Sequence, residues 1–224
     1  EGKIHDKISY FAEAGTWYAM SKVKEQGEDV QAESYLYKKG NPVWKPIVLE
    51  AEGFYSVDDF DSNGKLKADL PQPQFGHVAP GDIKYKDYNG DKIVNENDAH
   101  PVGNATVPAW NYMFSGGVKY KGFDLSVLFQ GVAQRDIYLR GASVYSFQNN
   151  GTASNLALDS WTTTNPNASY PRLSTVDFSN NYRSSTFWRR NGSFLRLRNI
   201  QVGYELSDAV SHALRLSKVY FYVN

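Results

Sequence analysis

Residues Tyr112 to Val132 read YMFSGGVKYKGFDLSVLFQGV. Alternate residues from the start of this stretch are Tyr112, Phe114, Gly116, Val118 and Tyr120. After Lys121-Gly122 the alternation resumes at Phe123, Leu125, Val127, Phe129 and Gly131. The positions between carry Ser115, Lys119, Asp124, Ser126 and Gln130, with Met113 and Leu128 as exceptions. Side chains of a strand alternate between its faces, so two such runs joined by a two-residue, Gly-containing turn spell a β-hairpin with one apolar face. Each arm has about nine or ten residues, the length a tilted strand needs to cross a bilayer.

Two further segments read the same way. In KISYFAEAGTWYAMSKV, near the start, Ile8, Tyr10, Ala12, Ala14 and Tyr18 share one parity. In SFLRLRNIQVGYELS, from Ser193, the residues Ile200, Val202, Tyr204 and Leu206 lie on one face and Asn199, Gln201 and Glu205 on the other. Its first half mixes Arg196 and Arg198 with Leu195 and Leu197. The apolar parity therefore switches, as a β-bulge or a membrane-interface crossing would produce. The sequence stops in KVYFYVN, within what reads as another strand.

Composition agrees. Tyr, Phe and Trp make up 15% of 224 residues against two Met, a mixture that favours strands and turns. Net charge is zero, with both signs spread along the chain, which argues against a nucleic-acid partner. The lack of cysteine excludes a disulfide scaffold and a thiolate metal site. No apolar run reaches the ~18–20 residues of a membrane-spanning helix, and the first residues lack a signal-peptide pattern. A membrane role must then come through strands, with any export signal outside this sequence.

Between the strand-like segments lie long polar stretches, roughly 27–103 and 140–190, of a length rare in compact soluble domains. Short turns at one end and long loops at the other characterise outer-membrane barrels. A soluble β-sandwich shows the same alternation. The tight Lys-Gly turn, the arm length and the aromatics at strand ends favour the barrel.

Residues Asp87 to Asp98, DYNGDKIVNEND, have the spacing of a calcium loop. Oxygen ligands would come from Asp87, Asn89, Asp91, the backbone carbonyl of Ile93, Asn95 and Asp98, because Ca²⁺ takes six to eight oxygens. Lys92 stands where such loops usually turn on Gly, and the twelfth position is Asp98 rather than a bidentate Glu. Both departures point to weak, structural binding, about 10⁻⁴–10⁻³ M. A plain Asx-rich turn is the alternative. His5, His77, His100 and His212 are scattered without ligand spacing, and no catalytic constellation occurs, so no enzyme is expected. The sequons at Asn104, Asn150, Asn167 and Asn191 read as coincidence in a chain rich in Asn, Ser and Thr.

Taken as longer words, PGDIKYKDYNGDKIVNENDAHPVGN followed by YMFSGGVKYKGFDLSVLFQGVAQRDIY closely resembles the C-terminal barrel region of SusC/RagA-type TonB-linked outer-membrane transporters. WTTTNPNASYPRLS and GSFLRLRNIQVGYELS resemble two further words of that family. The first eighty residues fit more loosely, through GNPVWKPIVLEAEGFYSVDDF, where Trp44 and Lys45 replace part of a Gly-rich word.

The resemblance implies an all-β fold: part of a large antiparallel transmembrane barrel of roughly 22 strands, with short periplasmic turns and long extracellular loops. It divides the chain into a strand region at 1–26, an extracellular segment at 27–111 holding the calcium-type loop, and a transmembrane hairpin at 112–139. A second extracellular loop at 140–192 and further strands at 193–224, truncated at the C-terminus, complete it. It also implies uptake of oligosaccharides or peptides across the outer membrane of Bacteroidetes-type bacteria. The partners would be a SusD-like surface lipoprotein as lid, outer-membrane lipid, and TonB acting through an N-terminal plug that this sequence lacks. In this reading Tyr145, Phe147 and Trp161 could stack on sugar rings, and Asn149 and Asn150 could bond hydroxyls. The rival reading is a soluble, calcium-stabilised β-sandwich that binds glycans.

Overall fold

The computed structural model describes residues 1–4, 8–176 and 179–224, so His5 lies outside the described residues. These residues fall into two compact units. The first comprises Glu1–Met20, Val107–Arg135 and Gly192–Asn224; the second comprises Ser21–Thr106 and Asp136–Asn191.

The first unit is a six-stranded antiparallel sheet. Its strands are β1 (Gly2–Ile4), β2 (Ile8–Tyr18), β3 (Trp110–Tyr120), β4 (Phe123–Ala133), β5 (Phe194–Glu205) and β6 (Tyr220–Val223), in chain order across the sheet. The expected hairpin is β3–β4, joined by Lys121 (φ 49°) and Gly122 (φ 87°). Two successive positive φ values match the right-handed twist of the flanking strands, and Gly meets that need without strain. A short helix, Asp208–Ala213, lies between β5 and β6.

Register aligns the apolar parities. Val127 on β4 faces Gly116 on β3 and Ile200 on β5, and Leu125 faces Val118 and Val202. On β2, Tyr10 faces Val118 and Ala12 faces Gly116. The register shifts where Leu128 meets Asn199 and Phe129 meets Leu197, leaving Arg198 as the extra residue of a β-bulge. The switch of parity read in the sequence is thus a bulge. It keeps Leu195 and Leu197 on the face that holds Ile200 and Val202, and both Arg196 and Arg198 reach the Gln130 amide oxygen on the opposite face. The apolar face is open: Phe123, Leu197, Ile200, Val202 and Phe221 all stay exposed.

The opposite face is polar and ion-paired near the turn, where Glu205 meets Lys119 (2.5 Å) and Lys218 (3.0 Å). The Tyr220 hydroxyl donates to Asp124 (2.9 Å). The all-β class is borne out. The sheet itself is open rather than closed on itself.

The second unit is built from the two long polar stretches. Its strands are two to four residues long: Ile47–Val48 with His100–Pro101, Ala51–Phe54 with Ile83–Tyr85, Gln72–Pro73 parallel to Ile93–Val94, and Asp136–Tyr138 with Arg189–Asn191. Pairs this short are marginal alone and need a packed core. Leu49, Phe75, Ile83, Tyr85, Val94, Val144, Tyr145, Tyr170 and Trp188 supply it, and Tyr55, Phe60, Leu66 and Val78 form a smaller cluster. Fully burying an aliphatic or Phe side chain is worth roughly 1.5–3 kcal/mol, which is why such segments hold a shape without long strands.

Candidate functional site

Two of the quoted words meet in a buried network of the second unit. Pro80-Gly81-Asp82 places Asp82, 1% exposed, against Arg172 of the SYPRLS word. Arg172 donates from Nη2 to Asp82 Oδ2 (2.9 Å), and its Nε lies 2.7 Å from Oδ1 as a charge contact outside hydrogen-bond alignment. Asn181 Nδ2 donates to Oδ1 (2.7 Å) and the Ala79 amide to Oδ2 (2.8 Å). Burial holds the Asp82 carboxyl above the ordinary carboxylate range, although Arg172 and the N–H donors pull it down.

The neighbouring amides extend the network. Asn181 accepts the Ile83 amide (2.8 Å), Asn180 donates to the Ile83 carbonyl (2.8 Å), and Trp188 Nε1 donates to the Asn181 carbonyl (2.8 Å). Gly81, at φ +87°, passes directly beneath Trp161, where any Cβ would overlap the indole. Only Gly meets both the backbone and the space. These words therefore build a scaffold, and nothing in them suggests chemistry.

The structure places the expected sugar-stacking residues in two groups. Tyr145 and Trp161 are buried. The Tyr145 ring stacks on Tyr182 (4.4 Å between centroids) and meets Trp188 edge-on (5.1 Å), while Trp161 covers Gly81. Their faces are taken by protein. Phe147 is half-buried, and Asn149 and Asn150 are exposed. All three are left-handed, at φ 64°, 53° and 60°, an arrangement of non-Gly residues that costs backbone energy.

In the 87–98 loop, most of the expected ligands already serve the loop itself. Asp87 accepts the Gly90 and Lys92 amides (2.7 and 2.8 Å), Asn89 the Asp91 amide (3.1 Å), and Asp91 the Ile93 amide (2.8 Å). Asn95 accepts the Asn97 amide (2.7 Å). Asp98, 1% exposed, accepts the Tyr88 and Asn95 amides, both at 2.8 Å. Lys92 takes φ 64°, the conformation for which Gly is the usual choice. Among the described residues no three His, Asp or Glu side chains come close enough to hold a metal. An ion here would rely on at most two carboxylates, with the Asn89 amide and the Ile93 carbonyl.

No family model matches the chain. Two curated relatives from Formosa agariphila do. TonB-dependent receptor P26 is 29% identical over 152 residues, covering 67% of this chain and 14% of the relative. TonB-dependent receptor P3 is 23% identical over 204 residues, covering 88% and 18%. The chain thus spans less than a fifth of the length of either. In solved structures the fold matches the RagAB peptide transporter (TM-score 0.65, 15% identity, 97% of this chain and 23% of that one). It also matches the RagAB peptide importer in its open-open state (TM-score 0.63, 15% identity, 98% and 22%). The SusC/RagA-type resemblance holds. The expected localisation, the outer membrane, holds with it, and the relatives bear the names of receptors and transporters rather than of enzymes.

Proposed function

We propose that the chain forms part of the wall and extracellular surface of a TonB-dependent importer. It would take up an oligosaccharide or a peptide and work with a SusD-like lipoprotein lid. The observation that carries this reading is the first unit's sheet. Strands β2, β3 and β4 each run 11 residues, and their apolar face stays exposed at Tyr10, Phe114, Val118, Tyr120, Phe123 and Leu125. In water such a face is a liability, whereas in lipid it is the stable choice, provided that neighbouring strands satisfy the backbone. The two long connections both leave the sheet at the end opposite the Lys121-Gly122 turn, the asymmetry of outer-membrane barrels. A soluble sandwich would need a second sheet of comparable length, and among the described residues the other sheets are pairs of strands two to four residues long.

Cysteine scanning in cells tests the proposal, since these residues contain no Cys of their own. Single cysteines at Leu125, Val127 and Phe129 are expected to resist a charged maleimide and to react with a lipid-soluble one. Cysteines at Ser126 and Gln130 should react readily with the charged maleimide. Equal labelling of both parities by the charged reagent would overturn the membrane assignment.

For the 87–98 loop we propose a weak structural calcium site. Millimolar Ca²⁺ is expected to raise the melting temperature of the wild type and to leave Asp87→Ala unmoved. A wild type indifferent to Ca²⁺ removes the ion and leaves a self-bonded turn.

A further inference from the structure

In the second unit, Lys38, the segment 41–47 and the residues Tyr138 and Arg140 line a half-open cavity of about 600 Å³. Its wall carries three cations, Lys38, Lys45 and Arg140, and neither Asp nor Glu. None of the three forms an ion pair among the described residues. Lys45 Nζ donates to the Gly103 carbonyl. The Arg140 guanidinium sits 5.7 Å from the centroid of the Tyr138 ring. Glu28 approaches this region, but its carboxylate accepts the backbone amide of Lys38 (3.0 Å). Like charges gathered around a concavity focus a positive potential into it and repel one another until an anion arrives.

A further observation points the same way. Trp44 lies at the third position of a turn closed by the Lys45 amide on the Pro42 carbonyl (3.1 Å), with φ 64°. Turns of this kind normally place Gly or Asn there. A 70% exposed indole in that position contributes little packing in return for its strained backbone. Backbone strain of this sort clusters at ligand-binding sites.

We propose that this cavity binds an acidic saccharide unit, a uronate or a sulfated ring, with its anionic group held by Lys38 and Arg140 and its ring laid on Trp44. The saccharide is favoured over an acidic peptide by the exposed indole. The electron-rich face of an indole matches the C–H face of a pyranose, while the charged substituent projects from the ring edge toward the cations. Binding here deepens the importer reading by naming a nutrient class. Its test does not depend on transport, and failure of the importer reading would instead show in the cysteine labelling.

The experiment is calorimetry on the native protein purified in detergent. The probes are trigalacturonate, maltotriose, the tripeptide Glu-Glu-Glu and sodium sulfate. Trigalacturonate is expected to bind, with affinity falling as salt rises, and maltotriose to bind at least about tenfold more weakly. Lys38→Gln and Arg140→Gln should each cost about tenfold, the loss of one charge-assisted contact. Trp44→Gly should weaken binding similarly while raising the melting temperature by about 2–4 °C, because strain is released as the ring is lost.

Equal binding of maltotriose would overturn the requirement for charge. If Glu-Glu-Glu binds as tightly as trigalacturonate, or if Trp44→Gly leaves affinity unchanged, the saccharide assignment falls in favour of an acidic peptide. Sulfate alone competing at full strength would reduce the site to a simple anion hole. No binding by any probe, or binding unaltered by Arg140→Gln, overturns the site altogether.

Discussion

Replacing Asp82 by Ala is expected to destabilise the second unit by about 3–5 kcal/mol, the cost of leaving a buried charge without its partner. The change strands the Arg172 guanidinium and removes the acceptor for the Ala79 amide and the Asn181 side chain. Differential hydrogen exchange of the amides at Ile83 and Tyr85 would report it, because both lie in the short strand beside the network. The double change Asp82→Leu with Arg172→Leu should cost less than Asp82→Ala alone, since no uncompensated charge remains. The pH dependence has a definite sign. The carboxyl is held above its ordinary range in the folded state, so the native protein binds the extra proton. Stability should therefore fall as pH rises from the ordinary carboxyl value to the raised one, and Asp82→Asn should flatten that slope. An Asp82→Ala protein with unchanged exchange at these amides would show that the network is not a keystone.

The second large effect is expected at Val127. Arg at this position should cost about 2–4 kcal/mol of membrane-inserted stability. Val127 is central, paired with Gly116 on one side and Ile200 on the other, so a guanidinium there cannot easily reach either interface. Ser126→Arg, one residue away on the polar face, is the control and should assemble nearly normally. The measurement is the fraction of the protein in the outer membrane that keeps its folded, heat-modifiable mobility. Equal assembly of the two variants would show that the face with Val127 does not meet lipid.

How much could be read in the sequence depends on the kind of order each part uses. The sheet was legible because a period of two carries its meaning locally. Tyr112 to Val132 announces its own turn, faces and length, and the Arg198 bulge follows from the mismatched parities of Leu195, Leu197, Ile200 and Val202. The second unit was not legible as a folded body. Its core residues, such as Leu49, Val94, Val144 and Trp188, sit in apolar runs of only two or three residues between polar stretches and share no sustained period of 2 or 3.6. They meet only through short pairs and side-chain networks distant in sequence.

Tyr145 and Trp161 show the limit sharply. In the sequence each is an aromatic in a polar stretch, which describes a stacking platform and a core residue equally well. The Gly81 requirement under Trp161 separates the two, and it appears only when both segments are seen together. Trp44 is the converse. A bulky residue in place of a Gly-rich word was visible as a departure, but its positive φ was needed to give that departure a meaning.

The core of the second unit has one further consequence, for engineering and for evolution. Leu49, Ile83 and Tyr85 come from the stretch before the β3–β4 hairpin, while Tyr145, Tyr170 and Trp188 come from the stretch after it, and they pack as one cluster. The two stretches are therefore not independent cassettes. Grafting either one alone onto another protein would carry half a core and half of the Asp82–Arg172 pair. Changes that touch this core would have to be made in both stretches as a matched set, whereas point changes at exposed positions such as Trp44 or Asn149 leave it intact.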